Sequence, residues 1–230
     1  MNCLKSYSFK QLLSYVEETL DISTWYVVDK SANNRLEYTK EKPYYKKLKR
    51  QAAKTNIPAE PAEILSWIDT LNILYHTLEG LPQDILDDIT IVQEYKIPFS
   101  NKRADYMLVY RNKILIIEFS FKNRDQARYE TKLKQILGYK EMLLGLLPNS
   151  IEIGTYVFII EPEISSYGNK ITKWNKYKNQ PELANGEQIT ALNKYIERFF
   201  KKETDAALLQ LEYIESYEDE AYSKDEDVTW

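Results

Sequence analysis

The apolar positions along this chain change their period once, near residue 88. Before that point they recur every three or four residues, the spacing of a helix with one buried face. Residues 8–20 predict a short amphipathic helix, and 40–55 a basic one with seven Lys/Arg against Glu41 alone. In "PAEPAEILSWIDTLNILYHTLEG", prolines stand at a helix entry and Gly80 at its stop. Ile64, Leu65, Ile68, Leu71, Leu74, Tyr75 and Leu78 form the buried stripe of that helix. After residue 88 the runs are short, β-branched and aromatic: "ITIVQEYKI" (89–97), "ADYMLVY" (104–110), "ILIIEFSF" (114–121) and "IGTYVFII" (153–160). These predict four strands. "RNK" at 111–113 is short enough to join the second and third as an antiparallel hairpin. Residues 125–147 return to helical spacing and end at Pro148, so the third and fourth strands are expected to run parallel across a helical crossover.

The resulting expectation is an α/β protein, a mixed central sheet of about four strands flanked by helices. It divides into a helical N-terminal region (1–88), a core (89–165), a basic loop with a closing helix (166–215) and an acidic tail (216–230). The stretch "SSYGNKITKWNKYKNQPELANG" (165–186) reads as loop, and about 187–214 as the closing helix. At 230 residues the chain is long enough to bury a sizeable core. Its 43% hydrophobic and 29% charged residues are those of an ordinary globular protein.

Charge is unevenly spread. Residues 212–230 hold eight acidic residues and one lysine, which leaves the rest of the chain with 30 basic and 27 acidic residues, a net +3. A mildly basic body with an acidic tail suits a protein that meets a polyanion, and equally a solubilising tail. The tail 216–230 is expected to be poorly ordered and to shield the lysine-rich segments. No apolar run reaches the length of a membrane span, and the N-terminus lacks a secretory signal. Cys3 is the only cysteine, which excludes an internal disulfide and a cysteine-ligated cluster. A cytoplasmic protein is the expectation.

The chemistry lies in "RADYMLVYRNKILIIEFSFK" (103–122), where two apolar strands carry one carboxylate each. A buried carboxylate is unfavourable unless something pairs with it. Side chains alternate across a strand, so Ile114, Ile116, Glu118, Ser120 and Lys122 share a face, and Asp105, Met107 and Val109 share one on the neighbour. A turn at 111–113 brings Glu118 opposite Asp105. Two carboxylates that converge in an apolar sheet either share a proton or bind a cation. Oxygen ligands of this kind suit Mg²⁺ or Mn²⁺, which keep waters and take phosphate oxygens as further ligands. A structural pair with Arg103 is the competing reading of Glu118.

On the next helix, Gln135 and Tyr139 are four apart and so share a face beside the packing stripe of Leu133, Ile136, Leu137, Leu143 and Leu144. Asp105, Glu118 and the Gln135-x-x-x-Tyr139 helix together resemble the PD-(D/E)XK nuclease superfamily, in its RecB-like branch, over about 89–160. The resemblance implies a restriction-endonuclease-like core, Asp105 and Glu118 as metal ligands, and Gln135 and Tyr139 as the helix motif. An upstream glutamate is expected to join them, in the order Glu94, Glu79, Glu63. The chain departs from the pattern at Ser120, where the family has its lysine. Lys122 lies on the same face, about 6.6 Å further along the strand, and is the expected displaced catalytic lysine.

The function this implies is a metal-dependent nuclease hydrolysing DNA, or RNA, phosphodiester bonds, with a place in phage defence, restriction or repair. No Gly-rich phosphate loop is present, so duplex opening would fall to a separate helicase or another defence or repair subunit. His76, the only histidine, supports no histidine-based hydrolase. Arg103, Lys46 and Lys47 on the basic helix, and Lys173, Trp174, Lys176 and Tyr177 in the loop are the candidate nucleic-acid contacts: lysines neutralise phosphates and aromatics stack on bases. The alternative, kept open by Ser120, is a catalytically inactive nuclease-fold module that binds nucleic acid or a partner protein. A third is an inhibitor that turns residues 212–230 against a basic protein.

Overall fold

The computed structural model describes residues 2–28, 32–57, 59–121, 126–160, 172–175, 180–183 and 186–201. Strand β1 (Lys5–Ser8) runs directly into helix α1 (Phe9–Val28). Ser8 caps that helix: its hydroxyl accepts from the Gln11 N–H at 3.4 Å, and the Gln11 side chain accepts from the Ser8 N–H at 3.0 Å. This reciprocal pair satisfies two backbone donors that a helix start leaves open. Helices α2 (Ala32–Lys40), α3 (Pro43–Lys54), α4 (Pro61–Leu78) and α5 (Gln83–Asp88) follow. Pro43 and Pro61 stand in the first turns of α3 and α4, where a missing N–H does no harm.

The sheet comes next: β2 (Thr90–Lys96), β3 (Arg103–Tyr110), β4 (Lys113–Phe121), helix α6 (Gln126–Leu144) and β5 (Glu152–Ile160). Five strands lie in the order β1-β2-β3-β4-β5. All neighbours are antiparallel except β4 and β5, which run parallel across α6. The fold is thus a mixed α/β sheet with helices on both faces, a helical N-terminal region and the C-terminal helix α7 (Gly186–Lys201). A short hairpin, β6 (Thr172–Asn175) with β7 (Gln180–Leu183), precedes α7.

One of these elements extends the sequence reading and another corrects it. The sheet has five strands because Lys5–Ser8 adds an edge to β2, and a four-residue strand spans too few residues to display its period. Part of the expected loop 165–186 is the β6–β7 hairpin, whose pairing is a non-local property of two polar segments. The acidic tail, and the end of the expected closing helix beyond Lys201, lie outside the described residues. Among the described residues no helix is long and apolar enough to cross a membrane.

Alternation divides the core. Tyr106, Leu108, Leu115, Ile117 and Phe119 point to the face covered by α1, α4 and α7, among Leu12, Leu74, Leu78, Leu192 and Ile196. Met107, Ile116 and Val92 point to the other face, against Ile136, Tyr139 and Leu143 of α6. A third cluster ties α3 to the first half of α4 through Tyr44, Tyr45, Leu48, Ile64, Trp67 and Ile68. Gly154 lets α7 approach β5, since a β-carbon there would meet the Phe199 ring at 3.0 Å.

Candidate active site

The β3–β4 ladder is regular from Tyr110↔Lys113 to Tyr106↔Ile117. The next step would pair Asp105 with Glu118, and there the backbones part. The carboxylates take over the exchange: Glu118 Oε1 accepts from the Asp105 N–H at 3.1 Å, and Asp105 Oδ2 accepts from the Phe119 N–H at 2.8 Å. The β2–β3 ladder skips the same level, passing from Gln93↔Tyr106 to Tyr95↔Ala104. Glu94, at the omitted step, has a left-handed φ of 52°, a backbone conformation rare for a residue with a side chain. Asp105 therefore stands where the sheet is open on both sides. A gap in each ladder lets side chains, rather than backbone pairing, set the local chemistry.

Helix α6 closes the opening from its own face. Lys132 Nζ is 2.5 Å from Glu118 Oε2 and 3.9 Å from Asp105 Oδ2. Gln135 donates to Glu118 Oε2 at 3.2 Å and also hydrogen-bonds the Tyr139 hydroxyl. Lys132, Gln135 and Tyr139 follow at three and then four residues, one face of a helix. Glu118 is fully buried and Tyr139 nearly so.

On the other side Arg103 joins two more carboxylates, Glu63 at 2.6 Å and Glu94 at 3.3 Å. The competing reading paired Arg103 with Glu118; Lys132 holds that place instead. The groups surround a cavity of about 360 Å³. One wall is α4 (Glu63, Ser66, Trp67, Thr70), the other Asn101, Lys102, Arg103, Glu94 and Asp105, with Phe119, Lys132, Gln135 and Tyr139 completing the lining.

Four carboxylates, Glu63, Glu94, Asp105 and Glu118, outnumber the three cations Lys102, Arg103 and Lys132 and leave surplus negative charge in a partly buried place. Burial, and then the Asp105 carboxylate, push Glu118 up to about 7, although Lys132 and the hydrogen bonds pull the other way. Burial and then Asp105 also raise Glu94 well above the usual carboxylate range, against the attraction of Arg103. Burial raises Asp105 as well, in spite of Lys132. Burial pulls on the Lys132 ammonium in the opposite sense, but Asp105 and Glu118 outweigh it and keep the lysine charged.

Among the described residues no group of three or more His, Cys, Asp or Glu is gathered to hold a metal ion. The donors that are present fit a hard divalent cation all the same. They are carboxylate oxygens with raised proton affinity, and Mg²⁺ typically uses one or two such groups with waters and phosphate oxygens. Lys132 occupies the space between Asp105 and Glu118 that such an ion would share.

The sequence reading brought Asp105, Glu118, Gln135, Tyr139, Glu94 and Arg103 to one place, and the structure has all six there. Of the other upstream candidates, Glu63 lines the cavity, whereas Glu79 pairs with His76 at 2.8 Å, outside the lining. Lys46 and Lys47 are exposed on α3 and each has an acidic neighbour, Glu41 at 3.3 Å and Glu18 at 3.2 Å. Lys173 and Trp174 belong to β6, while Lys176, Tyr177 and Lys122 lie outside the described residues. Lys132 was missed. Its signal was available in Lys132-x-x-Gln135-x-x-x-Tyr139, one helix face carrying three polar groups. Neither family models, nor curated proteins, nor solved structures give a match to this chain.

Proposed function

We propose that this protein is a metal-dependent nuclease of the PD-(D/E)XK kind that hydrolyses DNA phosphodiester bonds. The observation that carries the reading is one partly buried ammonium, Lys132, shared by two convergent strand carboxylates beside an open cavity. Asp105 and Glu118 would hold Mg²⁺ or Mn²⁺. Such an ion, when bound, polarises a phosphate and lowers the pKa of its water. Lys132 takes the part that the family gives to a strand lysine, which here is Ser120. Its ammonium orients the attacking water and offsets charge as it develops on the phosphate. Gln135, braced by Tyr139, holds the Glu118 carboxylate in one orientation. Arg103 and Lys102 on the cavity wall supply cations for the flanking phosphates. A cytoplasmic role in defence, restriction or repair, beside a helicase or similar subunit, is part of the same proposal.

The decisive experiment incubates the purified protein with plasmid and single-stranded DNA, with Mg²⁺, Mn²⁺ or EDTA. Cleavage with either metal and none in EDTA is the expected result. Metal-independent DNA binding without cleavage would overturn it in favour of the non-catalytic module, the reading that Ser120, buried with its hydroxyl on the strand, keeps in play.

A further inference from the structure

The loop between β2 and β3 carries a feature that the proposed chemistry does not use. Phe99 is 91% exposed, and the next most exposed large apolar side chain among the described residues, Leu146, reaches only 50%. Its backbone has a left-handed φ of 57°, which a bulky aromatic residue adopts only when its surroundings impose it. The loop does impose it. The Ile97 N–H donates to the Lys102 carbonyl at 3.0 Å, the Ser100 N–H donates to the Ile97 carbonyl at 3.2 Å, and the Ser100 hydroxyl accepts from the Lys102 N–H at 2.9 Å. Ile97 anchors this ring of bonds in the core behind α6. A braced turn thus holds one phenyl ring out into water. Asn101, Lys102 and Arg103, the next residues but one, line the cavity that contains Asp105.

We propose that Phe99 is a stacking platform for an unpaired base next to the scissile phosphate, so that the substrate is a nucleic acid with unpaired bases at the cut. This rests on the nuclease reading above. The warrant is an exposed π-face and the Lys102 ammonium on one short, fixed loop, followed at once by Arg103, the first residue of β3, which Glu63 and Glu94 hold in place. Lys102 and Arg103 meet the backbone of a strand, and the ring meets a base. In a continuous duplex every base face is already stacked and paired, so the ring has nothing to meet. In a single strand or a frayed end each base offers a face whatever its identity. A ring held rigidly in place also loses little freedom on binding.

The test compares the affinities of a labelled 20-nucleotide single strand and its duplex by fluorescence anisotropy in EDTA, for wild type, F99A, F99W and F99L. Wild type should favour the single strand. F99A should lower the ratio of single-strand to duplex affinity roughly tenfold, the effect of losing one base stack. F99W should restore the ratio, and F99L, apolar without a π-face, should not. A ratio unchanged in F99A while wild type binds DNA overturns this inference and leaves the nuclease reading standing. Wild type that binds neither DNA overturns this inference, and the cleavage assay with Mg²⁺ or Mn²⁺ then decides the nuclease reading separately. Loss of self-association in F99A by light scattering, with the ratio unmoved, would assign the ring to contact between copies of the chain and overturn it equally. Because Phe99 is solvent-exposed, these variants keep the fold, which circular dichroism checks.

Discussion

The β3–β4 hairpin has two ends built on opposite principles. At the turn end Tyr110↔Lys113, Val109↔Ile114 and Met107↔Ile116 pair without a break, and Met107 and Ile116 are buried against α6. At the open end, one pair beyond Tyr106↔Ile117, the ladder stops and three carboxylates gather under one lysine and one arginine. The first end stabilises the fold. The second opposes it, since burial raises the proton affinity of Asp105, Glu118 and Glu94 alike. Polar groups held at a loss in an otherwise apolar sheet are what a site for charge chemistry needs. The same two strands supply the rigidity that fixes it.

The comparison breaks most severely if the open end is made chemically inert. Glu118→Gln keeps the shape and removes the charge, and cleavage should fall by at least about a thousandfold, roughly 4 kcal/mol of transition-state stabilisation. Melting temperature, measured on the same sample, should not fall. A variant that melts lower and still cuts would reverse the roles assigned to the two ends. At the turn end, Ile116→Ala should do the opposite. Ile116 is fully buried, and truncation of such a side chain typically costs 2–5 kcal/mol, about 3 here. Urea denaturation should show that loss while the surviving folded fraction keeps its specific activity.

Acidity sharpens the contrast. The native site holds the proton of Glu118 more tightly than an unfolded chain does, with its pKa raised from 4.5 to about 7. The unfolded state therefore binds fewer protons through that window, and stability must fall as pH rises from about 4.5 to about 7. A tenfold difference in proton affinity is worth about 1.4 kcal/mol, which bounds the loss at roughly 3 kcal/mol. Thermal melts in EDTA across that window should show the decline in wild type and a flatter profile in Glu118→Gln. An equal slope in both would mean that Glu118 is not the source.

A finer test addresses Lys132. If its ammonium stabilises charge in the transition state, Lys132→Ala should lower turnover by about a hundredfold, about 2.7 kcal/mol. It should also tighten Mg²⁺ binding, seen by calorimetry, because a competing cation 2.5 Å from Glu118 is gone. Weaker metal binding with turnover unchanged would make Lys132 a structural ion pair.

How much of this was legible beforehand follows from the range of the interactions. The periods of α4, β2, β3, β4, α6 and β5 stand in the sequence because each depends on side chains a few positions apart. A tight turn at Arg111 and Asn112 makes register a local matter too, so that Asp105 and Glu118 could be matched across the hairpin by counting. Contacts between elements could not be counted. Lys132 meets Glu118 only because α6 packs at one height and rotation on the sheet, set by Ile136, Tyr139 and Leu143. Arg103 turns to Glu63, forty positions away, only because α4 lies across the cavity. Nor does any pattern announce the left-handed Glu94 that opens the sheet at Asp105. Sequence alone determined which residues could face one another within a strand or helix, since backbone geometry repeats. Tertiary structure alone decided which cation lies among the carboxylates, since that choice belongs to the packing of distant elements.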